Sequence, residues 1–361
     1  MVNYFIFTVF IVFFSFLDRF SKRIQYGLLL SFCLIFVATA VRYDFGNDYL
    51  MYAGEFTIIN SGDPTLWSVG MTRLEQGWIY LNKLFGFTSF ECLIGFLSLV
   101  YCLVFYFFIK KTLDKSQYWI SILFLLLIPS LFIVHQSLLR QTLALLLFLL
   151  AVLLSENKNG LIWGIIILLS ASSFHFSALL LIPVLFTKYL RLTTRQTYFI
   201  AGFYVILFFM GYSTYLTTSL FDVINYVFPK YSYYLDPERN NKIKLNTGLG
   251  LAFSTANFFL ILYLKDHFLD RERTRIIYFS IVIFYLISPL SLILGHFQRL
   301  NIYFEVFMII IIPMVYSFIP NRKLKYIYLC CNIIFSSYSL ITFFKSDTPE
   351  QKFNIYRTIF K

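Results

Sequence analysis

The chain has 361 residues, 59% of them hydrophobic and 13% charged, and its mean hydropathy is +0.74. Soluble domains carry about 25% charged residues, so this composition excludes water-soluble enzyme folds and calls for lipid around long apolar runs. The formal net charge of +12 does not require a nucleic acid, because cytoplasmic loops of membrane proteins collect Lys and Arg.

A bilayer core is crossed by about 20 apolar residues in a helix, somewhat fewer where the membrane thins. About twelve stretches qualify on that criterion: residues 2–17, 24–41, 90–109, 118–134, 138–154, 161–171, 174–186, 197–220, 247–264, 276–295, 302–319 and 326–344. The runs are continuous rather than alternating, which predicts helices and not a strand barrel. The first run lacks a basic head and a small-residue cleavage site, so it is expected to persist as an anchor. The sixth and seventh are short, and the SASSFH break between them reads either as a turn at membrane level or as a re-entrant hairpin. The five cysteines, Cys33, Cys92, Cys102, Cys330 and Cys331, lie inside apolar stretches and read as small apolar side chains.

Basic residues mark alternate connections: Arg19, Lys22 and Arg23; Lys110, Lys111 and Lys115; Lys158; Lys188, Arg191 and Arg195; Lys265, Arg271, Arg273 and Arg275; Arg322, Lys323 and Lys325. The positive-inside rule makes this set cytoplasmic. Both termini then face outward, as do the two long connections, 42–89 and 221–246. The expectation is one polytopic membrane domain over residues 1–361, with its function in those two extracytoplasmic loops. An interfacial helix is expected after Glu75.

In the first loop Arg42, Asp44, Gly46, Asp48, Tyr49 and Tyr52 follow directly on the second span. This is either an interfacial belt with a glycine turn or a pocket in which Arg42 meets an anionic group while a carboxylate orients a hydroxyl or takes its proton. Glu75, just before a helix, reads either as an acid favoured by the helix dipole or as part of that pocket. Arg140, with Gln141 beside it, lies where a charge close to hydrocarbon is costly without a partner or a polar cavity, unless it snorkels to the surface. His135 and Gln136 precede it. His175 stands between two apolar runs and suits proton transfer near neutral pH, or is a satisfied structural group. His296 and Arg299 repeat the theme later, with Glu305 nearby. The second loop carries Tyr226, Tyr231, Tyr233 and Tyr234 ahead of Asp236, Glu238 and Arg239; aromatic faces stack on sugars, although tyrosine is also an ordinary interface residue.

Four motifs in order, R-x-D-F-G-N-D-Y-x-x-Y at Arg42 to Tyr52, E-x-G at Glu75 to Gly77, R-Q-x-x-A at Arg140 to Ala144 and F-H-x-S-A at Phe174 to Ala178, resemble the EpsG family, which is grouped with Wzy-type bacterial polysaccharide polymerases. Asp44 and Asn47 depart from the family's pattern. The resemblance covers the first half of the chain by motifs and the second half by hydropathy plan and Arg299. It implies an all-α integral membrane protein of GT-C-like membrane glycosyltransferase architecture in the bacterial cytoplasmic (inner) membrane, with its site facing the periplasm or cell exterior. Its substrate would be an oligosaccharide repeat unit on undecaprenyl diphosphate, with membrane lipid around it and a chain-length regulator of the Wzz type beside it. Neither nucleic acid, cofactor nor metal ion is implied. Within that chemistry His175 is the expected base, with Asp48 and Glu75 as alternates. Arg42, Arg140 and Arg299 are the expected diphosphate cations, since guanidinium forks match phosphate oxygens. Tyr49, Tyr52, Tyr233, Tyr234 and Gln141 are the expected sugar contacts. A lipid-linked oligosaccharide flippase or other transporter, a membrane O-acyltransferase and a structural assembly subunit are the alternative readings. Against the transporter stand two long polar loops on one face and no related halves.

Overall fold

The computed structural model describes residues 2–20, 26–63, 74–212, 248–291, 295–346 and 353–360. Among these the protein is helical, apart from a two-residue antiparallel pair that joins Arg42 to Thr358 and Tyr43 to Arg357. The second long connection, 221–246, lies outside the described residues, and with it Tyr226, Tyr231, Tyr233 and Tyr234. The chain divides into two compact units, Met1–Phe186 with Ile312–Lys361, and Thr187–Ile311.

The first unit opens with α1 (Val2–Leu17) and α2 (Gly27–Ala40). Asp18 is buried beyond the end of α1, and its two carboxylate oxygens accept from the backbone N–H groups of Gly27 and Leu28, each at 2.8 Å. Those are donors that the first turn of a helix leaves without intrahelical partners, so an acid from the preceding helix closes α2 where no local cap is present. The Ser31 hydroxyl then donates to the Ile11 carbonyl at 2.8 Å and holds the two helices together.

After β1 (Arg42–Tyr43) the described part of the first long connection is largely helix. Helix α3 (Tyr49–Ser61) precedes α4 (Gln76–Leu84), the latter being the helix expected after Glu75. Tyr49, Tyr52, Phe56 and Ile59 are its buried apolar residues, at spacings of about three and four that lay one stripe on one face. That stripe joins Trp78 and Ile79 of α4, Phe90, Leu93, Ile94 and Leu97 of α5 (Phe90–Thr112), and Leu139 and Leu143 of α7 (Leu139–Leu154) in one apolar cluster. The connection is thus a packed two-helix layer over α5 and α7.

Between α5 and α7 lies α6 (Tyr118–Leu127), which stops short of the expected 118–134. Pro129 accounts for this: the residue before a proline is pushed out of the helical region, and Ile128 is extended at φ −88°, ψ 109°. Residues 129–138 therefore form turns and a 3₁₀ segment, Val134–Gln136. Then come α8 (Gly160–Ser172), a turn at 173–175, and a helical run Phe176–Tyr189 that alternates 3₁₀ and α geometry.

In the second unit α9 (Thr194–Tyr212), α10 (Leu249–Tyr263) and α11 (Glu272–Ser291) pack through aromatic rings. Phe258 lies 4.5 Å from Tyr204 and 5.2 Å from Tyr285, centroid to centroid. Lys188 is buried and pairs with Glu272 at 2.9 Å, so one of the basic residues assigned to the cytoplasmic face is held by an acid. Helix α12 (Gly295–Glu305) carries Arg299.

Helix α13 (Met308–Phe318) leads to α14 (Arg322–Lys345), which is capped by the Asn321 side chain accepting from Lys323 and Leu324 N–H. Among the described residues, Phe90–Thr112, Glu272–Ser291 and Arg322–Lys345 are long and apolar enough to cross a membrane. A fourth such span results if Gln298–Glu305 and Met308–Phe318, bent by 47°, act together. Shorter apolar helices occupy Val2–Leu17, Gly27–Ala40, Leu139–Leu154, Gly160–Ser172 and Leu249–Tyr263. The protein is a multi-pass membrane protein.

Candidate active site

The charged and imidazole groups of three of the four motifs meet at one point of the first unit. The Glu75 carboxylate receives the Arg140 guanidinium, Nη1 to Oε2, at 2.7 Å. Its other oxygen lies 3.6 Å from Nδ1 of His175, a close approach that is longer than a hydrogen bond. All three side chains are partly open, at 22% for Arg140, 20% for Glu75 and 27% for His175. A cation, an anion and an imidazole therefore share one partly exposed cluster.

The backbone explains how they come together. Glu75 occupies the N-cap position of α4, yet its side chain caps nothing in that helix and reaches across to α7 instead. Gly77, two residues on, donates its N–H to the Ser173 carbonyl at 2.8 Å. A β-carbon on Gly77 would fall on the Ser173 hydroxyl and 2.7 Å from its carbonyl oxygen, so the glycine is what lets α4 touch the turn that carries His175. The E-x-G motif thus has two parts, an acid for the cluster and a gap for the turn. Arg140 is in the first turn of α7, where it also faces the Tyr52 ring, 5.8 Å from its centroid. This contact and the carboxylate take the place of snorkelling.

Beneath the cluster Glu55 accepts from the Trp78 indole N–H at 2.9 Å, both side chains being buried. Burial pushes the Glu55 carboxyl above its ordinary range, opposed by that hydrogen bond and by Arg140. Glu75 moves the other way: burial pushes it up, but His175 and Arg140 outweigh this and hold it below the ordinary carboxylate range. Its folded value is depressed, so the contribution of the clamp is complete above the ordinary glutamate pKa of about 4.3 and is lost as pH falls through the lowered value. Glu75→Gln keeps the shape and removes the charge. It is expected to lower the thermal midpoint of the detergent-solubilised protein at pH 7, and that difference should vanish once the pH drops below the lowered value. Midpoints measured for both proteins from pH 7 downward test this, and a gap that does not narrow as the pH falls would detach Glu75 from the clamp.

The remaining candidates are placed as follows. Arg42 is buried, 2% exposed, and donates to the Thr39 carbonyl, to the Ser98 hydroxyl at 2.9 Å and to the Gln136 carbonyl at 3.5 Å. Among the described residues its Nε has no hydrogen-bond partner, nor does either ring nitrogen of His135; both residues line a cavity of about 20 Å³. Burial draws Arg42 down to about 10, which leaves it charged at neutral pH. Asp48 is half-buried at the start of α3, its backbone N–H bonded to the Ser137 hydroxyl at 3.1 Å. Gly46, at φ +92°, faces that same serine, where a β-carbon would come within 2.8 Å of Cβ. Asp44 adopts φ +46° and lies 3.8 Å from Arg357. Tyr49 and Tyr52 are buried in the apolar cluster, edge-on to Phe90 and Trp78, and Gln141 is buried on α7. Arg299 is exposed on α12 of the second unit. Tyr233 and Tyr234 lie outside the described residues.

The sequence alone does not single out two contributors, Ser173 as the seat of Gly77 and Ser137 as the seat of Gly46 and Asp48. Each precedes a motif residue by two or three positions, which was the available signal. Compared with known proteins, residues 25–358 match the model of the EpsG family. No curated protein and no solved structure matches the chain.

Proposed function

Because the chain belongs to the EpsG family, whose role is of the polymerase type in polysaccharide biosynthesis, we propose that it moves a growing glycan from undecaprenyl diphosphate onto the next lipid-linked repeat unit. The observation that carries this reading is the Glu75–Arg140–His175 cluster. A carboxylate near Nδ1 favours the tautomer that keeps its proton there and leaves Nε2 as acceptor. His175 takes the proton from the acceptor hydroxyl as the new C–O bond forms at the anomeric carbon. The bond from that carbon to the diphosphate oxygen breaks, and the leaving diphosphate carries away the electron pair. Cations fixed where this negative charge develops stabilise the transition state more than the ground state.

Arg140 is the guanidinium best suited to that task in the first unit. Arg42, whose Nη atoms are spent on three acceptors, acts on the diphosphate through its charge and not as a direct ligand. Asp48 is the alternate base, and Glu75 acts as a positioning residue. Tyr52 supports Arg140 from below. The wider reading is a metal-independent glycosyltransferase of about twelve spans and GT-C-like architecture in the bacterial cytoplasmic membrane. Its site faces outward, and a regulator of the Wzz type sets chain length.

The test is the length distribution of surface polysaccharide in a strain lacking the gene, complemented with wild type or Arg140→Ala at matched membrane levels. Collapse of the ladder to single capped repeat units with Arg140→Ala supports the reading, since flipping and ligation must still work for those units to appear. Loss of every unit at the surface would instead support a flippase.

A further inference from the structure

At the end of the first unit that bears the first loop lies a cavity of about 400 Å³, apart from the Glu75 cluster. Its walls are mostly rings: Tyr4 and Phe7 of α1, Phe132, Phe344 of α14, and Phe353 and Tyr356 of the C-terminal segment. Thr39, Arg42 and Gln136 also line it, and the Arg42 guanidinium donates to the carbonyls of the other two. Apart from Asn3 and Asn354, the polar lining is therefore gathered in one corner, with a cation there, and among the described residues no acid lines the cavity.

The rings hold one another in place. Tyr4 donates its hydroxyl to the Leu126 carbonyl at 2.6 Å and stands edge-on to Phe344 at 5.6 Å. Phe45 stands edge-on to both Phe353 and Tyr356, at 5.6 and 5.8 Å. Protein interiors pack densely, and the described residues leave this ring-lined cleft unfilled. The volume and the mix of many apolar and few clustered polar groups are those of a ligand site between helices. The cavity also has a cover: residues 353–360 cross it, with the Tyr356 hydroxyl donating to the Ala38 carbonyl, β2 (Arg357–Thr358) paired to β1, and Ile359 N–H bonded to the Val41 carbonyl at 3.0 Å.

We propose that this cavity binds the isoprenyl chain of the lipid-linked substrate beneath the C-terminal segment, with its phosphate end toward the Arg42–Gln136 corner. The inference rests on the polymerase reading for the identity of the chain. Its own support is the shape and lining of the cavity and the single cationic corner, which suits an anionic amphiphile. Gln136 and Arg42 also line the small cavity that reaches Leu139, the residue before Arg140 on α7.

The experiment uses the full chain in lipid nanodiscs with two photoactivatable probes, a diazirine-bearing isoprenyl diphosphate and a diazirine-bearing phosphatidylglycerol, with labelled residues mapped by mass spectrometry. Expected is isoprenyl labelling at Phe7, Phe132, Phe344 or Tyr356, absent from the phosphatidylglycerol arm and lost in Ala38→Phe, which fills the cavity from α2. Should Ala38→Phe fail to insert, Phe344→Ala serves in its place, with labelling moved off α14. Isoprenyl labelling confined to other surfaces, or acyl labelling alone within the cavity, overturns the proposal. Polymer formation from lipid-linked repeat units is followed in the same nanodiscs. Polymer without isoprenyl labelling of the cavity sinks this inference and spares the polymerase reading, whereas cavity labelling without polymer does the reverse.

Discussion

Replacing His175 with alanine is expected to abolish long polymer while the protein reaches the membrane at its usual level. The His175 side chain is partly exposed beside Glu75, so its removal leaves no large cavity and takes away a proton acceptor. A positioned base contributes about 10²- to 10⁴-fold, or roughly 3 to 5 kcal/mol of barrier, which is enough to turn a ladder into single repeat units. His175→Gln sharpens the result: an amide can still sit beside Glu75 but takes up no proton at neutral pH, so it is expected to fail like alanine. The measurement is the polysaccharide ladder with membrane levels read in parallel, and a normal ladder from either variant would remove His175 from the chemistry.

Gly77→Ala is the second substitution with a large expected effect, and it acts through the backbone. Its β-carbon would collide with Ser173, so α4 must back away from the turn that carries His175. Over-packing of this kind costs about 1 to 3 kcal/mol. The same retreat pulls Glu75 from Arg140 and His175, and a displacement of about 1 Å at a catalytic group can cost roughly 10²-fold in rate. Gly54 on α3 is the matched control, because a β-carbon there meets nothing within 4 Å. Gly54→Ala is expected to be neutral or stabilising by up to about 1 kcal/mol. Thermal midpoints and polymer output for the two variants separate the outcomes; equal behaviour would mean that the Gly77 contact does not shape the site.

How far the sequence discloses this arrangement depends on the kind of interaction. Membrane class was legible from composition, and the helix after Glu75 from its amphipathic pattern. The stripe Tyr49, Tyr52, Phe56 and Ile59 was equally legible as helical spacing, but its polar neighbours drew attention toward loop chemistry, and α3 was not foreseen. Pro129 carried the early end of α6 in plain view. Depth is harder to read. Arg42 and Arg140 both stand next to apolar runs, yet one is buried against three acceptors and the other is open toward a carboxylate, because the rotation of a helix about its axis is set by packing that no local pattern encodes. The partner of Arg140 stands 65 positions away in sequence, and motif order brought both residues to notice without pairing them.

The antiparallel pair between Arg42–Tyr43 and Arg357–Thr358 has a topological consequence. Two strands that share hydrogen bonds lie on one side of a membrane, so the chain crosses an even number of times between them. Asn3 and Tyr356 line the same cavity, which places the start of α1 on that side as well and makes α1 and α2 a returning pair. On the proposed plan of about twelve spans, the short segments that flank His175 then count as two crossings or as a dip that counts for none, and never as one. Parity thus narrows an ambiguity that hydropathy leaves open, and reporter fusions at Lys158 and Arg191 should report the same compartment.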